Sequence, residues 1–397
     1  QALLLVAAVA AATLAQGAAA SPPVVATLVF GAEDNRLNAY DAITGQRQTV
    51  IPSWDDAPGS GKDINAQICF FPDGSGRFIA GEDTFQERLN PATGLNELMG
   101  WGIFQLSGRK LGSLSAAQVG KLTPTFQPMK DNPENYGCGF LSDGRVVTTD
   151  VGDQQPQGEA NGQLIVWFPP YDRFAVPYCK VDVAIGTAGQ IWVAPDDTVY
   201  AASARPDQAG NLGGIFAYRN LPTAPTAAGG CGATDVTGAP LATPGSYSKQ
   251  LFLQDLLNVP TPNAMIPSGH GTYYVSSVFT GVIAEYSATG AFIRRVLSPA
   301  LGDVIPPYRT GTPLGLGVAP DGTLYYADIG IVLGPPPGPG DNNGSVRAIR
   351  FVGGVPQPPK VFEDQLMFPD GMGVMTLRAN GLICPAPSSG HGRCAAG

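Results

Sequence analysis

Five side chains carrying hard oxygen donors recur at matched places around short turn signals. Asn65 and Asn135 each stand seven residues ahead of turns that begin at Pro72 and Ser142. Glu82, Asp150 and Asp328 close the apolar runs that follow such turns. In an antiparallel hairpin the start of the first strand and the end of the second meet at one edge. That puts Asn65 beside Glu82 and Asn135 beside Asp150, with Asp328 at the matching point of its own hairpin. Carboxylate, amide and backbone oxygens converging on a narrow space suit Ca2+, which takes about six to eight oxygen ligands. A carboxylate beside such an ion can activate water while the ion polarises a carbonyl. The same residues also have a plainer use. Asp at a strand end accepts from the backbone N–H groups of the following turn, and buried Asn satisfies nearby backbone groups.

Composition narrows the chemistry further. The chain has 397 residues, 44% of them hydrophobic, a net charge of -9 and only two histidines. That apolar share is too high for a disordered chain, and no Lys/Arg-rich run offsets the acidic balance, so a nucleic-acid partner is excluded. Mechanisms built on several histidines are excluded with it. No Gly-x-Ser-x-Gly elbow with a matching His and acid appears, which argues against a serine hydrolase.

The elements that must position the oxygen donors form a recurring cassette. A short apolar strand leads into a Pro-Asp-Gly type turn, then a second strand rich in Val, Tyr and Ala, a small or acidic residue, and a third strand. The clearest copy runs from Leu316 through Pro320-Asp321-Gly322 to Asp328, with Ser345–Phe351 following. Other copies turn at Pro72, Ser142, Pro195 and Pro267. Asp-Gly between two alternating apolar runs is a strong hairpin signal, because Gly accepts the positive φ of the turn. Units of this kind repeat in β-propellers. Thr27–Ala32 with Arg36–Asp41 read as second and third strands lacking a first, and Pro369–Leu377 as a first strand without a sequel. Joining them gives an all-β, six-bladed β-propeller closed by strands from both termini. Only Gln250–Leu257 carries weak helical patterning, and the Pro/Gly stretches Asn220–Ser246 and Gly334–Gly344 read as surface excursions.

The domain reading is a secretion signal over 1–20, the propeller over 21–383 and a disulfide-closed tail over 384–397. Ala2–Ala20 is uncharged and ends in small residues, as in a secretory signal cleaved near Ala20, and no other window is long enough to span a bilayer. Six cysteines in an exported chain point to disulfides. Proximity pairs Cys384 with Cys394, Cys69 with Cys138, and Cys179 with Cys231. The expected location is secreted, periplasmic or extracellular.

At these residues the chain resembles known propeller groups. Leu316–Gly330, with its Gly-Val-Ala-Pro-Asp-Gly-Thr-Leu-Tyr-Tyr-Ala-Asp core, resembles an NHL-type repeat of the TolB-like propellers. Phe368-Pro-Asp370-Gly371-Met372 resembles the PDGM motif of the gluconolactonase (senescence-marker-protein) family. The second resemblance implies a divalent ion, usually calcium, at the channel mouth. It would make Asp370 both ion ligand and catalytic base, Asn65 and Asn135 further ligands, and would set Glu82, Asp150 and Asp328 around the mouth.

Two functions from different classes follow. The first is a non-catalytic exported module that binds a small molecule, a protein partner or its own copies through the flat faces and Pro/Gly loops. The second is a calcium-dependent lactonase-like hydrolase. A periplasmic redox propeller is a third and weaker reading, since no Cys-x-x-Cys-His haem signal is present.

Overall fold

Alternating apolar residues send successive side chains to opposite faces of a strand. In this chain both faces are buried, so each sheet must be sandwiched between two others. A ring of sheets meets that demand. The computed structural model describes residues 23–33, 36–52, 63–83, 88–89, 96–97, 100–122, 135–150, 162–171, 176–204, 213–235, 238–334 and 338–386. The expected signal segment 1–20 and Cys394 lie outside these residues.

Six sheets form the ring. The inner strands are Gly371–Arg378 in blade 1, Asp63–Phe70 in blade 2 and Asn135–Phe140 in blade 3. Ala188–Val193, Pro262–Pro267 and Pro313–Val318 follow in blades 4, 5 and 6. Each inner strand touches the next, and the sixth touches the first. Blade 1 is the closure. Its inner strand comes from the C-terminal end and pairs with Val24–Glu33, which pairs in turn with Arg36–Asp41 and then Arg47–Ile51. The expected assembly of one blade from both chain ends is therefore observed. No α-helix occurs among the described residues, and none of their helices is long and apolar enough to cross a membrane.

The core is divided among the blade interfaces. Phe30 and Leu28 of blade 1 pack with Phe70 and Phe78 of blade 2, while Val29 of the same strand packs with Tyr325 and Val346 of blade 6. Separate apolar clusters fill the interfaces of blades 2 and 3, 3 and 4, 4 and 5, and 5 and 6. A change of period in any strand would turn both of its faces to the wrong neighbour.

Two expectations meet differences. Ser248–Leu253, inside the weakly helical stretch, is the outer strand of blade 4. Pairing with Gly214–Arg219 overrides the local pattern. The stretch Asn220–Ser246 is also more than a surface excursion. Its Pro240–Leu241 pairs in parallel with the outer strand of blade 3 (Tyr178–Asp182), and Ala233–Thr234 adds a further strand. That covers an edge otherwise open to another chain. The buried Lys180 ion-pairs with Asp235 there at 3.0 Å.

Disulfides Cys69–Cys138 and Cys179–Cys231 are both present. The first ties blade 2 to blade 3, and the second ties the covering segment to the blade it covers. Cys384 is buried within the final short strand Ile383–Pro385, which pairs with the inner strand of blade 1. The Cys69–Cys138 loop spans 69 residues, for which loop-closure entropy gives about 4 kcal/mol of stabilisation. Replacing both cysteines by alanine is expected to lower the free energy of unfolding by roughly that amount, read from the guanidinium midpoint. An unchanged midpoint would show that the bond constrains nothing in the unfolded chain.

Candidate functional site

Inner strands carry a difficulty that outer strands escape. Their channel-side N–H and C=O groups face neither a paired strand nor bulk water, and buried backbone groups need partners. Two glutamines answer this from across the channel. Gln67 of blade 2 donates through Nε2 to the Ile191 carbonyl of blade 4 at 3.0 Å. Its Oε1 accepts from the Ile191 and Cys138 N–H groups at 3.1 Å each. Gln190 of blade 4 repeats the device on blade 6, donating to the Leu316 carbonyl at 2.9 Å and accepting from the Leu316 N–H at 2.8 Å. Each amide acts as a one-residue strand. The cavity left between them, lined also by Trp192, Phe140 and Met372, measures about 30 Å³, room for on the order of two waters.

The mouth is closed in another way. Blades 2 to 6 each have a register irregularity near the start of the inner strand, a feature that bends a strand locally. Neighbouring backbones then come so close that a Cβ at Gly371 would sit on the Ala66 carbonyl. Above this constriction lies an apolar cluster. Val278 of blade 5 packs with Leu314, Ile329 and Ile331 of blade 6, and half-buried Phe368 and Tyr136 pack against them. Tyr136 is the extra residue of the blade 3 irregularity. Blades 3 and 6 stand opposite in the ring, so this contact spans the mouth. Loops on the same edge expose Leu301 completely and Val304 to 83%.

The oxygen donors expected at the rim take different places. Asp370 directs both carboxylate oxygens to the Ala66 N–H, at 3.0 and 3.1 Å, and its own N–H donates to the Ala32 carbonyl. It fastens blade 1 to blade 2 while holding Ala66 at φ 71. Asp328 is a hub within blade 6. It accepts from the Thr312 and Gly330 N–H groups and the Thr312 and Ser345 hydroxyls, and it ion-pairs with Arg347 at 2.9 Å. Its turn-capping use is the one the structure displays. Asn135 and Asp150 lie directly opposite each other in the blade 3 hairpin, both almost fully buried. Asn65 and Glu82 lie at one edge of blade 2, where Asn65 pairs with Gly81 and Glu82 with Ile64. Among the described residues no three His, Cys, Asp or Glu side chains gather where they could hold a metal.

Glu33 occupies in blade 1 the place that Asp150 and Asp328 hold in theirs. Burial pushes its carboxyl above the usual glutamate range, against the pull of Arg36 and the Asn38 amide. Sequence reasoning passed over Gln67, Gln190 and Tyr136. The glutamines did leave a signal, since each stands five residues ahead of its turn in an otherwise apolar strand. Tyr136 left none, because the residues it meets come from distant loops.

The architecture defines the chain as a six-bladed β-propeller. No family model matches it, and no curated protein matches it in sequence. Solved structures similar to it include a protein of unknown function from Bacteroides caccae, at 10% identity over 87% of this chain and 98% of that one, with a TM-score of 0.45. A luciferin-regenerating enzyme is similar at 15% identity over 76% and 80%, with a TM-score of 0.45. Virginiamycin B lyase from Staphylococcus aureus is similar at 9% identity over 88% and 87%, with a TM-score of 0.42. Likeness this distant reaches no individual residue.

Two outcomes follow from the channel and its rim. Gln190→Leu leaves the Leu316 N–H and C=O buried without partners and is expected to cost about 2–3 kcal/mol of stability. A chemical-denaturation midpoint equal to that of the unaltered protein would mean the staple contributes nothing. For Glu33, a raised folded-state pKa means the native state binds the proton more tightly than the unfolded chain. The group therefore costs stability as pH rises through and above the ordinary glutamate range. Relative to its value in acid, the stability of Glu33→Gln is expected to gain on the unaltered protein toward neutral pH. Urea midpoints at a series of pH values that keep a constant difference would refute this.

Proposed function

We propose that the protein is a non-catalytic, exported β-propeller that binds a partner through the loops of its mouth edge. The observation that carries this reading is the state of the channel. Glutamine side chains bridge its middle beside a cavity with room for about two waters, and an apolar cluster lies across the opening that a substrate would have to enter. What the mouth edge offers instead is exposed apolar side chains on ordered loops, Leu301 and Val304 foremost. Grouped exposed apolar residues are the usual mark of an interaction surface. The two disulfides fit an oxidising compartment outside the cytosol.

The competing reading is calcium-dependent hydrolysis of a lactone, with Asp370 as base and ion ligand and Asp328 at the rim. It asks these carboxylates for lone pairs already directed to Ala66, Thr312, Gly330, Ser345 and Arg347. Purified protein is expected to leave a panel of lactones unhydrolysed with or without added calcium. Turnover that requires calcium and is abolished by Asp370→Asn would replace the binding reading with the enzymatic one.

A further inference from the structure

Two neighbouring loops of the mouth edge are built alike. Residues 254–261 lead from the outer strand of blade 4 into blade 5, and residues 298–312 lead from the outer strand of blade 5 into blade 6. Each carries an exposed leucine at its tip, Leu257 at 82% and Leu301 at 100%. Behind each tip an arginine donates to the leucine's own carbonyl, Arg295 at 3.2 Å and Arg309 at 2.7 Å. Each loop holds one carboxylate, and each turns it inward. Asp255 accepts from the Leu257 and Asn258 N–H groups, the Asn258 amide and the Tyr286 hydroxyl. Asp303 accepts from the Arg309 backbone N–H at 2.8 Å and its Nε at 2.9 Å. Phe279 joins the loops, donating its N–H to the Thr261 hydroxyl and accepting from the Tyr308 hydroxyl. Exposed Val304 and Ile305 extend the apolar surface.

This edge is layered, with hydrocarbon outermost, guanidinium behind it and carboxylate innermost. Arg309 is 67% exposed against 13% for Asp303. The exposed charge behind the tips is therefore positive, in a chain whose net charge is -9. A phospholipid bilayer presents the complementary order, with phosphate at its surface and hydrocarbon beneath. Long basic side chains reach the phosphate level while their neighbours enter the acyl boundary. Tyrosine favours the same depth, and half-buried Tyr308 stands beside the tips. Shape agrees with charge. Leu301, fully exposed, stands clear of its neighbours as a protrusion. A fluid acyl layer accepts a protrusion without a matching pocket, whereas a protein partner needs a complementary surface.

We propose that this edge docks on a phospholipid bilayer, with Leu257, Leu301, Val304 and Ile305 in the acyl boundary and Arg295 and Arg309 at the phosphates. The proposal rests on the partner-binding reading and names the partner.

The test floats the full chain through a density gradient with phosphatidylcholine vesicles. The unaltered protein is expected to rise with the vesicles. Leu257→Ser and Leu301→Ser are each expected to weaken partitioning about tenfold, because each removes one leucine from the acyl boundary. Val352→Ser, which alters an exposed side chain on the opposite edge of blade 6, is expected to bind as the unaltered protein does. Equal melting temperatures establish that the variants fold. The proposal is overturned if the unaltered protein stays at the bottom of the gradient, if the double variant Leu257→Ser/Leu301→Ser floats undiminished, or if Val352→Ser loses as much as either leucine variant. Self-association in sedimentation that Leu301→Ser abolishes, without vesicle binding, assigns the surface to a second copy of the chain and also overturns it. Each of these results leaves the partner-binding reading standing, since that reading falls to calcium-dependent lactone turnover instead.

Discussion

The inner edge of the ring governs this structure. Six strands stand side by side around an axis, each presenting backbone donors and acceptors to a narrow space away from bulk water. A buried amide left without a partner costs about 1–3 kcal/mol, so several such groups would rival the whole stability of an ordinary domain. Gln67 and Gln190 remove the difficulty by reaching past their neighbours to Ile191 and Leu316. Glycine lets adjacent backbones approach closely elsewhere, as at Gly371 beside Ala66. Both solutions narrow the channel, and the narrow channel sets what the molecule can do. The axis of this ring is crossed by its own glutamine side chains.

Much of this was legible in the residues, because the legible parts are local. Pro-Asp-Gly fixes a hairpin within four residues, and alternation fixes which side chains face inward. Unfinished cassettes at the two ends could be matched because each lacked what the other had. Pairing Cys69 with Cys138 and Cys179 with Cys231 followed from proximity along the chain alone. Ser248–Leu253 went the other way, since its helical period was weak and its neighbour in blade 4 decided the outcome. The covering of blade 3 by Pro240–Leu241 was hidden for a related reason. Two residues in a Pro/Gly stretch carry no period at all.

The rim was only half legible. Hairpin geometry placed Asn135 beside Asp150 and Asp328 at the end of its strand, as the structure has them. It could not say what those groups would meet. Asp328 meets Arg347, a residue of its own blade. Asp370 meets a backbone N–H of the next blade, made available by the left-handed turn at Ala66. Gln163 joins the Asn135–Asp150 pair only through the third strand. Side-chain type and spacing indicate what a residue can donate or accept, but the partner depends on strands many tens of residues away.

Closure by both ends has a consequence for biogenesis. While the polypeptide is emerging, five sheets can assemble in order, yet the facets of blades 2 and 6 that await Phe30 and Val29 remain bare. The strand that completes the circle is made after the other five blades, so the pairing with the largest sequence separation must follow them. Such long-range contacts form slowly, and nascent apolar facets aggregate. During that interval an open arc with two sticky flanks can be capped by a chaperone or can join the arc of a neighbouring molecule, and the second route leads to exchanged-strand assemblies.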